Sequence, residues 1–250
     1  MARRPREEGS RDLPLAKLLP NLVTLIAVCA GMTGIRFAFQ GEYEWAVRMI
    51  LVAGVLDGLD GRLARLMRSQ TLIGAELDSL SDFLNFGVAP ALILYFWSLY
   101  EIGGVGWMAC LAFALCCVLR LARFNARSKE GTGGAGDYFT GIPSPAGAIL
   151  ALMPMVLSFN FGNEVLFPAT MSAIYVVLVG LLMISQMPTY SFKNIRVSRN
   201  NAPFVMLGVV LLGSAVLIYP WATMVALAAA YVVSIAIAQV QRLGKKRKEG

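Results

Sequence analysis

The chain has 250 residues, 57% of them hydrophobic and only 15% charged, with a formal net charge of +7. Soluble domains carry about 25% charged residues, so an ordinary soluble fold is excluded. Histidine is absent altogether, which excludes histidine nucleophiles, bases and metal ligands and leaves the chemistry to carboxylates, hydroxyls, lysine and arginine.

Residues 1–17 are polar and basic, and the first apolar run begins near Leu22. That run has no small-residue cleavage site before the next charged segment, so it reads as a retained span rather than a signal peptide. Further apolar runs follow between clustered charges, each near the roughly 20 residues that cross a bilayer as a helix. Backbone groups in lipid must pair internally, which favours helices, and the alternation of a membrane β-barrel is missing. The expectation is an all-α integral membrane protein with about eight spans, at 22–39, 45–65, 81–100, 106–125, 145–161, 166–187, 203–219 and 221–241. Pro154 interrupts the fifth span, and a short turn at Pro220 joins the last two. Cys29, Cys110, Cys116 and Cys117 all lie in apolar runs and read as small lipid- or core-facing residues.

All basic residues except Arg36 and Arg48 fall on one side of these spans, while Glu42, Glu44, Glu101 and Glu164 fall on the other. The basic side is expected to be cytoplasmic, with both termini there and the chain integral to the inner membrane. Basic tails beside spans suit anionic lipid headgroups; with no soluble domain to present the charge, nucleic acid is not an expected partner. The glycine-rich segment 131–136 reads as a cytoplasmic loop, since it lacks the lysine and helix pattern of a phosphate-binding loop.

The second span ends in Asp57-Gly58-Leu59-Asp60-Gly61-Arg62-Leu63-Ala64-Arg65, and Gly74, Asp78 and Asp82 follow after a short connection. Asp57 and Asp60 share a helix face, as do Asp78 and Asp82. The short connection makes the two helices antiparallel neighbours, so four carboxylates can converge at the cytoplasmic end. Burying such a cluster without compensation costs several kcal/mol per charge. Divalent cations are the simplest compensation, and all-oxygen ligands select hard ions such as Mg²⁺, Mn²⁺ or Ca²⁺. Two such ions would suit phosphoryl chemistry. Gly58, Gly61 and Gly74 would let a phosphate or nucleotide approach the backbone; they equally suit close packing between membrane helices.

The pattern D-x-x-D-G-x-x-A-R-x8-G-x-x-x-D-x-x-x-D is complete at Asp57, Asp60, Gly61, Ala64, Arg65, Gly74, Asp78 and Asp82, and it resembles the signature of the CDP-alcohol phosphatidyltransferases. The resemblance implies a six-helix catalytic core and a homodimer. It also implies transfer of a phosphatidyl group from CDP-diacylglycerol to an alcohol, with release of CMP. On this basis residues 1–20 are a basic cytoplasmic segment, 21–200 the six-helix catalytic domain, 201–241 a C-terminal helix pair and 242–250 a basic tail. Asp57, Asp60, Asp78 and Asp82 would hold two Mg²⁺ or Mn²⁺ ions, with Asp82 the catalytic base. Asp57, Gly58, Gly61, Ala64, Arg65, Thr71, Gly74 and Asp78 would bind CDP-diacylglycerol.

Weaker stretches at 20–24, 81–90, 119–125 and 139–146 resemble the phosphatidylserine synthase branch of that family, which implies L-serine as acceptor. Arg120 and Arg123 are candidates for its carboxylate, with Asn125 and Ser144 as polar neighbours; ordinary positive-inside arginines are the alternative. Lys193 and Arg196 would contact phosphates or lipid headgroups. A sister enzyme using glycerol 3-phosphate or inositol phosphate would want a stronger cationic pocket. A divalent-cation transporter would want a second polar relay in the opposite half, which the sequence lacks. A non-catalytic scaffold would leave the signature unexplained. A phospholipase-D-like synthase is excluded by the absence of histidine.

Overall fold

The computed structural model describes residues 18–67, 71–129, 138–162, 166–185, 188–190 and 202–249. Lys193, Arg196 and the 131–136 loop lie outside them. The described helices are α1 (Leu19–Phe39), α2 (Tyr43–Leu66), α3 (Leu72–Phe83), α4 (Ala89–Trp97), α5 (Gly104–Lys129), α6 (Ser144–Ala151), α7 (Met153–Asn160), α8 (Ala169–Ile184), α9 (Ala202–Ile218) and α10 (Pro220–Glu249). A π-helical turn, Leu84–Val88, fuses α3 to α4, and α6 abuts α7. The chain is thus an all-α, multi-pass membrane protein. The one addition is a small ribbon in which β1 (Tyr138–Thr140) pairs antiparallel with β2 (Pro188–Tyr190), Phe139 opposite Thr189.

Among the described residues, four helical stretches are long and apolar enough to cross a bilayer: Leu19–Phe39, Leu72–Trp97, Gly104–Ala126 and Pro220–Ile237. The α8 helix is apolar but shorter, and α2 carries Asp57 and Asp60 in its C-terminal half. The third helix starts at Leu72, earlier than the 81–100 expected from hydropathy, so Asp78 and Asp82 lie within it. The last helix runs on to Glu249, so the basic residues expected in a separate tail continue α10.

Small residues set how closely the first two helices approach. Ala27, Ala30, Gly31, Gly34 and Ala38 form the buried stripe of α1, against Ala46, Val47, Ile50 and Ala53 of α2. A Cβ at Gly34 would sit 3.2 Å from the Ala46 carbonyl oxygen, the close backbone approach typical of small-residue helix pairs in membranes. The turn between them is a Schellman motif: Glu42 N–H donates to Phe37 O (2.9 Å) and Gly41 N–H to Ala38 O (3.0 Å), with Gly41 at φ +83°. Only glycine takes that left-handed position without strain.

Pro154 breaks the fifth rod as expected. Proline has no N–H to offer the carbonyl four residues back, here that of Leu150. The Tyr175 hydroxyl of α8 donates to that carbonyl at 2.9 Å, so the break is satisfied by a neighbouring helix. At the end of α2 remote from the aspartates, Arg48 pairs with Glu44 at 3.1 Å and lies over the rings of Trp45 and Trp221. This basic residue on the acidic side is thus neutralised locally. Cys110, Cys116 and Cys117 are buried and Cys29 is exposed, all as free thiols.

Candidate active site

The helices α2 and α3, both packed on α1, and the start of α1 build the site. The α2 helix presents Asp57 and Asp60 one turn apart. Thr71 caps the N-terminus of α3, its Oγ1 accepting from Gly74 N–H at 3.0 Å, and the next two turns carry Asp78 and Asp82. The π turn follows at once; such turns interrupt the regular i→i−4 ladder and recur at functional sites. Here the turn precedes Pro90, which cannot donate a backbone hydrogen bond. Its Asn85 side chain is fully buried and donates from Nδ2 to Ser81 Oγ at 3.0 Å.

Carboxylate oxygens of Asp57, Asp60 and Asp78 come within 4.8 Å of one another. Asp60 is buried, Asp57 half-buried and Asp78 exposed. Asp82 stands beside this triad, its carboxyl facing that of Asp57 within hydrogen-bonding range. Oδ1 of Asp57, Asp60 and Asp82 are all buried without a hydrogen-bond donor. Buried acceptors are rarely left unsatisfied, and three on converging carboxylates call for a cation. Hard oxygen donors in this number fit a divalent ion, so the residues present suit the metal that the signature implies.

The sequence reading missed Thr24. Its Oγ1 lies 2.5 Å from Asp60 Oδ2 and 3.1 Å from the Pro20 carbonyl, so the hydroxyl proton has a carboxylate to meet. This bond fixes one oxygen of Asp60 and leaves the other aimed at the triad. Thr24 lies in the 20–24 stretch, which the sequence marks only by its resemblance.

The three glycines divide. A Cβ at Gly58 or Gly61 would meet nothing within 4 Å, so among the described residues neither packs against another helix and both leave open space over the α2 backbone. A Cβ at Gly74 would lie 2.8 Å from Asn21 Oδ1 and 3.0 Å from Thr71 Oγ1, so Gly74 permits the approach of α3 to α1. Arg65 is exposed, its Nε donating to Gly61 O at 3.0 Å, and Ala64 is half-buried beside it.

The expected acceptor residues divide as well. Arg120 lies within electrostatic range of Asp82 and donates from Nη1 to the fully buried Ser144 Oγ at 2.6 Å. Its Nε is buried without a partner. Arg123 is exposed and donates to the Ile184 carbonyl at 2.8 Å, a cation on the C-terminal end of α8, where the helix dipole favours it. Asn125 donates to Ser79 Oγ at 2.9 Å and ties α5 to the helix bearing Asp78. Only Arg120 and Ser144 of the four therefore border the aspartates.

The family model of the CDP-alcohol phosphatidyltransferases matches residues 17–184. Among similar curated proteins is the CDP-diacylglycerol–serine O-phosphatidyltransferase of Mycobacterium leprae, 37% identical over 88% of this chain and 73% of its own. The protein of that name from Helicobacter pylori is 37% identical over 72% and 74%, and that from Methanocaldococcus jannaschii 33% identical over 70% and 75%. The matched region holds α1 through α8, and with them the whole aspartate cluster, Thr24, Arg120 and Ser144; the chain belongs to the CDP-alcohol phosphatidyltransferase family.

Proposed function

We propose that this chain transfers the phosphatidyl group of CDP-diacylglycerol to the hydroxyl of L-serine, giving phosphatidylserine and CMP. The observation that carries the chemistry is the convergence of Asp57, Asp60 and Asp78 oxygens beside Asp82. Serine is favoured by the names of the relatives. It is also favoured by the one buried arginine that, among the described residues, lies next to the candidate base: one guanidinium matches a carboxylate, whereas a phosphorylated acceptor would want more positive charge.

Asp57, Asp60 and Asp78 would hold divalent cations, Mg²⁺ or Mn²⁺ and two per site, with Asp82 at the edge of the same cluster. When bound, these ions neutralise charge on the pyrophosphate oxygens. Gly58 and Gly61 leave the α2 backbone open to the nucleotide, with Ala64, Arg65, Thr71 and Gly74 around it. Arg120, fixed by Ser144, holds the serine carboxylate. Asp82 accepts the proton of the serine hydroxyl as its oxygen attacks the phosphorus of the phosphatidyl group. The bond from that phosphorus to the bridging oxygen breaks, and CMP leaves with the electron pair. Positioning and fixed charge do the work, as is usual in phosphoryl transfer.

The domain limits, 21–200 for the catalytic core and 201–241 for the helix pair, belong to this reading. So do a homodimer, placement in the inner membrane, and a cytoplasmic active site and termini.

The test is an acceptor panel. Purified protein with CDP-diacylglycerol and Mn²⁺ is expected to release CMP with serine and not with glycerol 3-phosphate, inositol phosphate or choline. Release with a phosphorylated acceptor alone would replace serine in this reading.

Gly58 and Gly74 make a second, paired test. Gly58→Ala should raise the unfolding temperature, since alanine in an open helix position gains about 0.5–1 kcal/mol over glycine. The same methyl should raise KM for CDP-diacylglycerol about tenfold by crowding the nucleotide. Gly74→Ala should lower the unfolding temperature instead, by about 1–3 kcal/mol of overpacking against Asn21. A thermal-shift series beside CMP-release kinetics reads both.

A further inference from the structure

The C-terminal helix α10 lies beyond the region matched by the family model, yet it reaches the active site. It packs on α7 and on β2 and brings Tyr231 into electrostatic contact with Arg120. The Tyr231 hydroxyl is buried and has no hydrogen-bond partner. Arg120 Nε and Asp82 Oδ1 are in the same condition. Arg120, on α5, lies within electrostatic range of both Asp82 on α3 and Tyr231 on α10, so unsatisfied polar atoms of three helices gather around it. Buried polar atoms are nearly always paired in native proteins, and an unpaired set at one place marks where a ligand supplies the partners.

The atoms also specify the ligand. Arg120 Nε–H can only donate, and the Tyr231 O–H can donate. Arg120 Nη1 is already committed to Ser144, which holds the guanidinium still and leaves its Nε edge open. Two donors on one side call for an anionic group with two oxygens. Asp82, whose carboxyl also interacts with Arg120, can only accept when ionised and, as the proposed base, takes the substrate hydroxyl. A small zwitterionic amino acid with a hydroxyl meets all three demands at once.

We propose that Tyr231, from the helix outside the shared family region, binds the carboxylate of the acceptor together with Arg120 and so selects an amino acid over simple amino alcohols. The shared core would then handle the nucleotide half of the reaction, and α10 would complete the acceptor half. The inference rests on the proposed serine transfer.

The experiment compares Tyr231→Phe with the unaltered full chain, using CDP-diacylglycerol, Mn²⁺, and either serine or ethanolamine, which has the amine and hydroxyl of serine but no carboxylate. A hydrogen bond to a charged group is worth about tenfold or more in affinity. Tyr231→Phe is therefore expected to raise KM for serine about tenfold, to leave KM for CDP-diacylglycerol unchanged, and to cut the kcat/KM preference for serine over ethanolamine about tenfold. An unchanged serine KM, or equal losses with both acceptors, would overturn the assignment. So would a fall in unfolding temperature, because the hydroxyl would then be holding the fold rather than waiting for a ligand. If the unaltered chain releases CMP with a different acceptor and not with serine, the proposed function fails first, and that arm is read before the variant.

Discussion

Asp82→Asn is expected to lower CMP release by about 10²- to 10⁴-fold, the usual worth of a positioned general base, while leaving the fold intact. The fold should survive because the Asp82 carboxyl faces that of Asp57 and its Oδ1 has no donor to lose. An amide there replaces a repulsion between two carboxylates with a possible donation from Nδ2 to Asp57. The unfolding temperature in detergent should therefore hold or rise. Kinetics at saturating serine and CDP-diacylglycerol separate this from a binding defect, since loss of the base falls on kcat. Turnover within a fewfold of the unaltered chain would remove Asp82 from the base role and leave it a neighbour of the metal triad.

The aspartates were legible in the sequence because their chemistry depends on spacing along helices. Three- and four-residue intervals put each pair on one face, and packing of both helices on α1 brings the pairs together. Thr24 and Tyr231 were not legible in that way. Each reaches the site from a helix distant in sequence, and nothing in the local pattern of α1 or α10 distinguishes a site-facing hydroxyl from a packed one. Arg123 shows the converse. In sequence it lies one turn beyond the deeper Arg120 and shares its candidate role. Only the packing of α8 shows that Arg123 meets the Ile184 carbonyl while Arg120 turns inward to Ser144.

Hydropathy located the helical rods but set the third one too late. The polar residues Glu76, Asp78, Ser79, Ser81 and Asp82 hide the first turns of a helix that begins at Leu72. A functional site at the end of a span makes that span look shorter than it is. The π turn over Leu84–Val88 was equally hidden. It goes with Pro90 and with Gly87, where a Cβ would crowd Phe83 and Cys117, a closeness set in three dimensions.

Removing the metal, or the residue that best holds it, should reverse the energetics of the whole cluster. Like charges about 5 Å apart repel by roughly 3 kcal/mol per pair at an effective dielectric near 20, so the carboxylates oppose folding until a cation joins them. Mn²⁺ should therefore raise the unfolding temperature of the unaltered chain. At a hundredfold excess over Kd the added stability is about 2.7 kcal/mol, and a chelator should abolish both this gain and CMP release. Asp60→Asn is the sharpest variant, because Asp60 is the most buried of the triad, at 3% exposure, and Thr24 already orients it. It should unfold at or above the metal-free temperature of the unaltered chain, since one buried charge is gone. It should show no rise with Mn²⁺ and lose activity by at least about 10³-fold. Thr24→Val leaves all the carboxylates in place and frees only the Asp60 side chain. Its cost should be smaller, about 10- to 100-fold in metal affinity, recoverable by raising Mn²⁺. If Asp60→Asn kept the Mn²⁺-dependent shift, the ion would sit elsewhere; if Thr24→Val were not rescued by Mn²⁺, the threonine would hold the α1–α2 contact rather than tune a ligand.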